Sequence, residues 1–577
     1  MLNIRLAILA VLLLACAVGT ATAQAALQLR WELEKDVFRG DTSGSRAAFT
    51  ITNHGKKPLA GGGWAIYFSA LHGAQPGSVE GGFTIEDLTG DLHRLVPGAG
   101  FAGLAPGASI RIPYLTWGFI LNQSFVPKGP YIVFDSANGT GHPISDFLAV
   151  PFARPPQEGH DPRVISPERQ FALDSTIVDI PASQLPPVFP TPLQVAPGTG
   201  VLRLTALPRV NATAGLENEA GFAAEYLRPY FKAGRQGAGT VLRLEVGPVA
   251  GQSSPEAYEL AVDSTGIRIV GIGSAGVFYG LQSLRSLLPA PSPRRELVLP
   301  AIHIVDTPRF GYRGFMLDIA RNFQPKPALL RTLDLMARYK LNVFHMHLTD
   351  DESWRIEIPS LPELTVFGAR RGHPPDMSHF MPPAYGSGPE LDRPFGSGFL
   401  SRTDYMELLR YAAARHIEVI PEIEMPGHAR AAVKAMDARA RLSGDRQYLL
   451  YDPADTSTYT TAQGYHDNVM NPALESTYGF IERVVGDLVT MHKDAGVPLK
   501  HIHMGGDEVP TGVWQNSPAV QAYLQAHHLA GVDDLWFVFY GRVAQILQAQ
   551  GLTPSGWEEI AVRRTRRDSQ YVNIPNP

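Results

Sequence analysis

Two carboxylates stand side by side at the end of a short apolar stretch, HIHMGGDEVP, which runs from His501 to Pro510. Two glycines precede Asp507 and Glu508, and glycine permits a bend and the close approach of another group. Neighbouring residues on an ideal strand point to opposite sides, so only such a bend lets both side chains face one site. Paired acids in this setting predict glycoside chemistry, in which one carboxyl group protonates the leaving oxygen.

The adjacency of the two acids restricts that chemistry. Ordinary glycosidases place their carboxyl groups about 5 to 9.5 Å apart on opposite sides of the sugar, which adjacent residues fit poorly. They fit better an enzyme whose substrate supplies its own nucleophile, the carbonyl oxygen of a 2-acetamido group. One carboxylate then holds the acetamido group while the other acts as acid. Taken alone, the pair has an alternative interpretation as a helix N-cap, because acids stabilise helix N-termini.

The elements that position these acids are strands and helices that alternate from Pro308 onward. Short buried runs separated by amphipathic segments predict a parallel sheet, and no strand is followed by a glycine-rich phosphate loop. Chemically capable side chains recur where the strands end, which is the active face of a (β/α)8 barrel. They are Asp318, Asp350, His428, Asp507, Glu508, Trp557 and Glu558.

The chain is long enough for several domains, and its composition changes along its length. Residues 26–150 contain short runs rich in aromatic and β-branched residues, which predict a β-sandwich. Residues 151–164 are proline-rich and indicate a linker. Residues 165–305 combine strands, helices and a hairpin in YELAVDSTGIRIVG, which predict an α+β domain. Residues 306–577 carry the predicted β/α barrel.

Five motifs in order, DIARNF, HMHLTDDESWR, PEIEMPGHA, HMGGDEVPTGVW and GWEE, resemble those of the family 20 glycoside hydrolases, the β-N-acetylhexosaminidases. The similarity is to the bacterial chitobiase type, whose N-terminal carbohydrate-binding-like domain resembles residues 26–150. It implies an enzyme that removes terminal β-linked N-acetylglucosamine or N-acetylgalactosamine from oligosaccharides such as chitobiose. The implied mechanism retains configuration through an oxazolinium intermediate and uses neither a metal nor a cofactor.

The resemblance also implies roles for the residues that carry the chemistry. Glu508 is expected to be the general acid and then the base. Asp507 is expected to orient the acetamido N–H group and to stabilise the oxazolinium intermediate. Asp350 and His428 are expected to form a hydrogen-bonded chain that holds Glu508. A general acid needs a raised pKa, which we expect burial near a carboxylate to supply.

Two further residues are expected to bind the sugar. The resemblance implies that Arg321 in DIARNF contacts the hydroxyls of the terminal sugar and that Trp557 forms one wall of the acetamido pocket. Taken singly, each candidate has a plainer interpretation. Arg321 alone is an ordinary surface ion-pair residue, His428 a loop histidine, and Trp557 a core residue. The joint occurrence of five ordered motifs favours the functional interpretation.

A zinc site is a further alternative for the same strands. His345 with His347, and His501 with His503, place paired imidazoles on one face of a strand, as in metal-dependent barrel hydrolases. This alternative lacks supporting Lys, His and Asp signals on the later strands.

The family's barrel has eight strands, and this sequence supplies five. Only residues 561–577 follow Ile560, whereas one further strand–helix unit needs about 30 residues. The resemblance therefore implies a catalytic barrel that is truncated at its C-terminal end, without the additional tryptophans, tyrosine and acid of the later strands. The alternative function is a catalytically inert protein that binds glycans through Trp64 and Trp117 of the β domain.

The N-terminus has the pattern of a secretory signal peptide. Residues 1–25 contain Arg5, an apolar run and small residues at candidate cleavage sites. We therefore expect export to the periplasm or the medium, and no other segment is apolar enough for an integral membrane span. Cys16 is the one cysteine and lies inside this segment. It is either removed with the peptide or acylated as the first residue of a lipoprotein.

The charge balance restricts the partners. A net charge of −5 and a pI near 6.4 give no basic field for nucleic acid. The expected partner is an oligosaccharide that contains N-acetylhexosamine, and the sequence predicts no oligomeric state.

Overall fold

The structure is a computed structural model that describes residues 27–37, 43–135, 139–152, 167–181, 184–232, 236–564 and 571–573. The predicted signal peptide at 1–25, Cys16 within it, and most of the predicted linker at 151–164 lie outside these residues. Among the described helices, none combines the length and the apolar character needed to cross a lipid bilayer.

The N-terminal region consists of two β-sheets that share one apolar core. Their strands are β1 (Leu27–Val37), β2 (Gly44–Asn53), β3 (Trp64–Ser69), β4 (Phe83–Thr89), β5 (Leu92–Pro97), β6 (Ser109–Leu115), β7 (Lys128–Phe134), β8 (Gly141–Pro143) and β9 (Asp146–Ala149). One sheet has the order β6-β2-β1-β9 and the other β4-β5-β3-β7-β8. Alternate residues of β1 and β2 face the core, among them the cross-strand partners Trp31 and Phe49.

The two tryptophans proposed to bind glycan in this region differ in exposure. Trp64 is buried, and its indole N–H donates a hydrogen bond to the Ala60 carbonyl oxygen at 2.8 Å. The prediction that Trp64 binds sugar is therefore wrong, because its ring packs between Phe83 and Phe101 in the core. Trp117 is half exposed.

The second region is a six-stranded mixed sheet with helices. Its elements are α1 (Pro167–Asp174), β10 (Gln194–Leu204), β11 (Leu207–Ala212), α2 (Glu217–Leu227), β12 (Gln236–Val246), β13 (Tyr258–Asp263), β14 (Gly266–Gly271), α3 (Ser274–Leu287) and β15 (Leu297–Asp306). The sheet order is β10-β15-β13-β14-β12-β11. The predicted hairpin is confirmed: β13 and β14 are antiparallel, and Asp263 Oδ1 accepts hydrogen bonds from the amides of Thr265 and Gly266 in the turn.

The third region contains a parallel sheet of five strands in consecutive order, β16-β17-β18-β19-β20. Its elements are β16 (Gly314–Asp318), α4 (Lys326–Arg338), β17 (Val343–His347), α5 (Glu363–Val366), α6 (Arg402–Ala413), β18 (Glu418–Glu422), α7 (Arg430–Ser443), α8 (Glu475–Ala495), β19 (His501–His503), α9 (Pro518–Ala526), α10 (Leu535–Ala549), β20 (Thr553–Ser555), β21 (Val562–Arg564) and β22 (Tyr571–Asn573). The predicted alternation of parallel strands and helices is confirmed within the described residues.

Local sequence explains where the helices of this region begin and end. Ser401 and Asp404 form a capping box at the start of α6. Gly444 and Gly496 end α7 and α8 in the left-handed conformation, which costs glycine little. The apolar residues of α4 recur at helical spacing and are buried against the sheet, as the sequence pattern predicts: Leu329, Leu333, Met336 and Ala337.

Candidate active site

The register of the parallel sheet aligns polar residues at the carboxyl ends of its strands. Asp318 of β16 pairs with His347 of β17, His347 with Glu422 of β18, Glu422 with His503 of β19, and His503 with Ser555 of β20. Residues in register on parallel strands point to the same side of the sheet. The loops that follow these ends carry all six predicted site residues, so the structure brings their backbone positions to one edge.

The segment after β19 bends as the sequence predicts. Gly505 and Gly506 have φ values of 59° and 97°, and Glu508 itself has a φ of 49°. A Cβ atom on Gly505 would lie 1.8 Å from Glu424 Oε2, and one on Gly506 would lie 2.4 Å from the Tyr540 hydroxyl oxygen. The glycines are therefore required both by conformation and by close packing. The close neighbours are side chains of the protein.

The bend turns both acids toward one imidazole. His428 Nε2 lies 3.6 Å from Asp507 Oδ2 and 3.4 Å from Glu508 Oε2. The N-cap interpretation is wrong, because the next helix, α9, begins at Pro518 and is capped by the Ser517 side chain. The two carboxylates thus form one site with His428.

Two further acids lie behind the imidazole. His428 Nδ1 is 3.2 Å from Asp350 Oδ1 and 3.3 Å from Asp351 Oδ2, and all three side chains are buried. Burial opposes the charged imidazolium, but the hydrogen bonds with Asp350 and Asp351 outweigh it and raise the pKa of His428. The raised pKa favours the cationic form of His428, which lies between the buried acids and Glu508.

This cation reverses the expected acidity of Glu508. Interaction with His428, followed by the hydrogen bond donated by Gln463 Nε2 at 2.9 Å, lowers the pKa of Glu508 to about 2. The prediction that burial raises the pKa of Glu508 is therefore wrong. The Glu508 side chain is 47% exposed, so water stabilises its charge and desolvation is weak.

Asp507 has the opposite environment. Burial is the largest influence and raises the pKa of Asp507, although His428 opposes the shift. Its Oδ1 atom is buried and accepts no hydrogen bond from any group that the structure describes. A buried acceptor without a donor is costly, so this oxygen is suited to an N–H group from outside the protein.

Arg321 is fixed by three carboxylates. Its guanidinium lies 2.6 Å from Asp350 Oδ2, 2.9 Å from Asp318 Oδ2 and 3.2 Å from Glu352 Oε2. The arginine is thus not an ordinary surface ion-pair residue. About a fifth of its side chain remains exposed beside the acids, which leaves room for contact with a ligand.

Glu422 is the common partner of three imidazoles from the two histidine pairs that the sequence suggested as a zinc site. Its carboxylate lies 2.7 Å from His347 Nδ1, 2.8 Å from His503 Nδ1 and 3.0 Å from His345 Nε2. Burial opposes ionisation, but the three imidazoles outweigh it and lower the pKa of Glu422. His345, Glu422 and His503 also have the donor types and proximity of a metal site. His501, by contrast, pairs with Glu418 at the opposite end of its strand.

Trp557 follows β20 and packs against these imidazoles. Its ring centroid lies 4.9 Å from that of His503 and 5.9 Å from that of His345. Beyond Glu508 the surface opens into a cavity of about 920 Å³, whose lining includes Trp514 and Trp536. Trp557 is half-buried beside these imidazoles, so it is not simply a core residue.

Several residues of the site were not predicted from the sequence. Three of them, Glu352, Glu422 and Glu424, lie inside the five motifs. The signal that could have identified them is a charged residue within an apolar stretch or at the end of a strand. Glu424 is buried beneath Gly505, and burial with the nearby Asp507 and Glu422 raises its pKa well above the ordinary value. Gln463 has no sequence signal, because it lies in an irregular loop and reaches Glu508 only through the fold.

Family models match three successive parts of the chain. Residues 32–142 match a putative carbohydrate binding domain, residues 185–307 match domain 2 of glycosyl hydrolase family 20, and residues 310–574 match the catalytic domain of that family. The three matches follow the three structural regions in order.

Relatives are similar over most of the chain. Beta-hexosaminidase B of Pseudoalteromonas piscicida is 33% identical over 548 residues, which cover 89% of this chain and 68% of that protein. N,N'-diacetylchitobiase of Vibrio harveyi is 36% identical over 80% of this chain, and the chain spans 54% of the chitobiase. The crystal structure of a family 20 exo-β-N-acetylglucosaminidase from Vibrio harveyi, bound to N-acetylglucosamine, superposes with a TM-score of 0.76 at 27% identity. That superposition covers 92% of this chain and 76% of the other.

Proposed function

Since the chain belongs to glycosyl hydrolase family 20, we propose that it is a β-N-acetylhexosaminidase. Its proposed substrates are oligosaccharides, such as chitobiose, with a terminal β-linked N-acetylglucosamine or N-acetylgalactosamine. The observation that carries the proposal is the convergence of Asp507 and Glu508 on His428, with Arg321 held beside Asp350. The N-acetylglucosamine bound to the Vibrio harveyi enzyme supports the same sugar here.

The first proposed step breaks the glycosidic bond. Glu508 gives its proton to the glycosidic oxygen, which leaves with the bonding electron pair. The carbonyl oxygen of the substrate's acetamido group attacks the anomeric carbon and forms the oxazolinium ring. The buried Oδ1 of Asp507 accepts the acetamido N–H, and its negative charge stabilises the positive ring.

The second step returns the enzyme to its starting state. Water attacks the anomeric carbon from the face that the leaving group vacated, and the ring opens to restore the acetamido group. Glu508 takes the proton from the water and so acts as base. Two inversions at the same carbon give net retention of configuration.

The lowered pKa of Glu508 is compatible with its role as acid because His428 holds a proton next to it. Two groups this close titrate as a pair, so the relevant quantity is the proton that they share. A sugar placed over the half-exposed Glu508 removes water and disfavours its charge, which moves the proton from His428 to Glu508. Asp350 and Asp351 keep His428 oriented in both states.

The five parallel strands are proposed to belong to a (β/α)8 barrel, with the N-terminal sheets as a β-sandwich. Support comes from the consecutive strand order, the helices between the strands, and the placement of the site at the strands' carboxyl ends. The activity measurement described next also tests whether five units suffice to hold the site.

The experiment compares the chain with its Glu508→Gln variant on an aryl N-acetyl-β-glucosaminide. Glutamine keeps the shape but donates no acidic proton, so kcat should fall by about 10²–10⁴-fold. Glu482→Gln on the exposed side of α8 is the matched control and should match the parent. A parent chain that releases no chromophore, or a Glu508→Gln variant that retains full activity, would overturn the proposal for this chain.

A further inference from the structure

A turn of the N-terminal region reaches the active edge of the parallel sheet. It comprises Thr89, Gly90 and Asp91 and joins β4 to β5. Arg430 Nη2 donates a hydrogen bond to Thr89 Oγ1 at 3.1 Å, and Asp91 Oδ2 accepts one from the Tyr385 amide at 2.8 Å. Both partners belong to the third region, so the turn joins two regions that are far apart in sequence.

The middle residue of the turn touches a buried tyrosine. A Cβ atom on Gly90 would lie 2.5 Å from the Cζ and hydroxyl oxygen atoms of Tyr465, and Gly90 has a φ of 56°. The phenol therefore packs directly on the Gly90 backbone, and a larger residue would displace it. The Arg430 guanidinium lies over the same ring, 4.6 Å from its centroid.

Tyr465 transmits this contact to the sugar site. Its hydroxyl donates a hydrogen bond to Glu352 Oε1 at 3.2 Å, and the Glu352 Oε2 atom accepts one from Arg321 Nε at 3.2 Å. Glu352 is buried. Burial raises its pKa to about 7, so loss of the Tyr465 hydroxyl would further weaken its charged form and its hold on Arg321.

Tyr385 is a second residue near Glu352, whose charge, after burial, contributes to the raised pKa of the Tyr385 hydroxyl. It is 41% exposed although its chain neighbours are buried, and its φ is 52°. Its backbone is held by Asp91, whose carboxyl group is itself buried. The turn thus contacts two residues near Glu352, Tyr465 and Tyr385.

We propose that the turn Thr89–Asp91 is a positioning element of the sugar site, which holds Arg321 in place through Tyr465 and Glu352. The effect on substrate rests on the proposed function, because it requires that Arg321 binds the terminal sugar. The mechanical coupling between the turn and Arg321 does not depend on the proposed function. The N-terminal region then serves catalysis through the domain contact, in addition to any binding of glycan by its own surface.

The test is the Gly90→Ala variant with Gly107→Ala as its matched control. Both glycines lie in the N-terminal region with positive φ, but a Cβ atom on Gly107 meets nothing within 4 Å. Gly90→Ala should raise KM and weaken N-acetylglucosamine binding by about 10–100-fold, because small displacements of positioning groups have effects of this size. Gly107→Ala, which carries the same backbone strain without the clash, should behave as the parent.

Two further variants separate positioning from general destabilisation. Tyr465→Phe keeps the ring and removes the hydroxyl, so it should act in the same direction and less strongly. Arg321→Lys alone should have nearly the same KM as Arg321→Lys combined with Gly90→Ala, because both changes act through one group. Effects of Gly90→Ala and Arg321→Lys that multiply, or a Gly90→Ala variant with unchanged KM, would overturn the proposal.

A readout that needs no activity completes the test. Phenylglyoxal labels accessible guanidinium groups, and peptide mass spectrometry follows the labelling of Arg321. Labelling should be faster in Gly90→Ala than in the parent and in Gly107→Ala, and equal rates in all three would contradict the coupling. If the parent neither binds nor hydrolyses the sugar, the proposed function fails, and the labelling rates still decide whether the turn positions Arg321.

Discussion

The cores of the N-terminal region and of the parallel sheet hold their charges in opposite ways. The N-terminal core is aromatic and aliphatic, and its ion pairs, such as Arg111 with Glu32, lie on the outer face. The interior of the third region buries ionised side chains, including Arg355 and Glu422 with no exposed surface. Buried ions are costly, so a fold tolerates them where opposite charges or hydrogen-bonding groups compensate the loss of water.

Arg355 shows how the fold compensates a buried charge. Arg355 donates hydrogen bonds to the carbonyl oxygens of Ile319, Ala320 and Gly398, which lie in the loops after β16 and β17. Backbone carbonyls of these loops therefore take the place of water around the charge. The N-terminal core thus consists of apolar burial, whereas the interior of the third region also fixes loops and acids through buried charges.

The largest expected effect is on the most buried acid. Glu422→Gln removes the charge that faces three imidazoles, including His347, whose pKa is raised by its acidic neighbours against the effect of burial. Breaking a buried pair from one side should lower the free energy of unfolding by about 3–5 kcal/mol. Urea unfolding measures it.

The matched control for that prediction lies on the same strand. Glu418 begins β18 and pairs with His501 at 2.5 Å, but both side chains are more than a third exposed. Glu418→Gln should therefore cost less than about 1 kcal/mol. Equal losses of unfolding free energy for Glu422→Gln and Glu418→Gln would show that the cost of removing a carboxylate charge does not depend on its burial.

The second effect concerns pH. In the parent, the basic limb of kcat/KM should report loss of the proton that His428 and Glu508 are proposed to share. The raised pKa of His428 should place that limb above the ordinary histidine range. His428→Gln removes the cation that lowers the pKa of Glu508, so that pKa should rise from about 2 toward its ordinary value.

The basic limb should then belong to Glu508 alone and should move to lower pH by at least about two units, the gap between ordinary His and Glu values. The measurement is kcat/KM against pH on an aryl N-acetyl-β-glucosaminide. His54→Gln, an exposed change in the N-terminal region, is the control. A basic limb that stays in place in His428→Gln would mean that the pair shares no proton.

The smallest effect tests the apolar core. Trp31 is fully buried, and its indole N–H donates to the Tyr114 hydroxyl at 3.0 Å. Trp31→Phe loses that neutral hydrogen bond and should cost about 1–2 kcal/mol in unfolding free energy, with kcat unchanged. Trp117→Phe on the surface should cost less than about 0.5 kcal/mol. A change in kcat for Trp31→Phe would show that the two cores are not independent in function.

Much of the fold was predictable because its signals are local. The period of apolar residues marked all five strands of the parallel sheet and the helices between them, and the glycines of MGGDE marked the bend. The six candidate residues also followed from local motifs at strand ends. Trp64 was misassigned because an aromatic residue beside a glycine-rich loop has the same local pattern whether it faces solvent or core.

Sequence patterns alone thus predict the order of elements, the family, and the residue types present at the carboxyl edge of the sheet. The acidity of Glu508 follows from the fold instead, because its pKa depends on how near His428, Gln463 and water lie. The same holds for the contact of Gly90 with Tyr465. Local patterns constrain a residue's backbone conformation and the side of its helix or strand that faces the core. The pKa of a group and its contacts with another domain depend on neighbours that the fold brings from elsewhere in the chain.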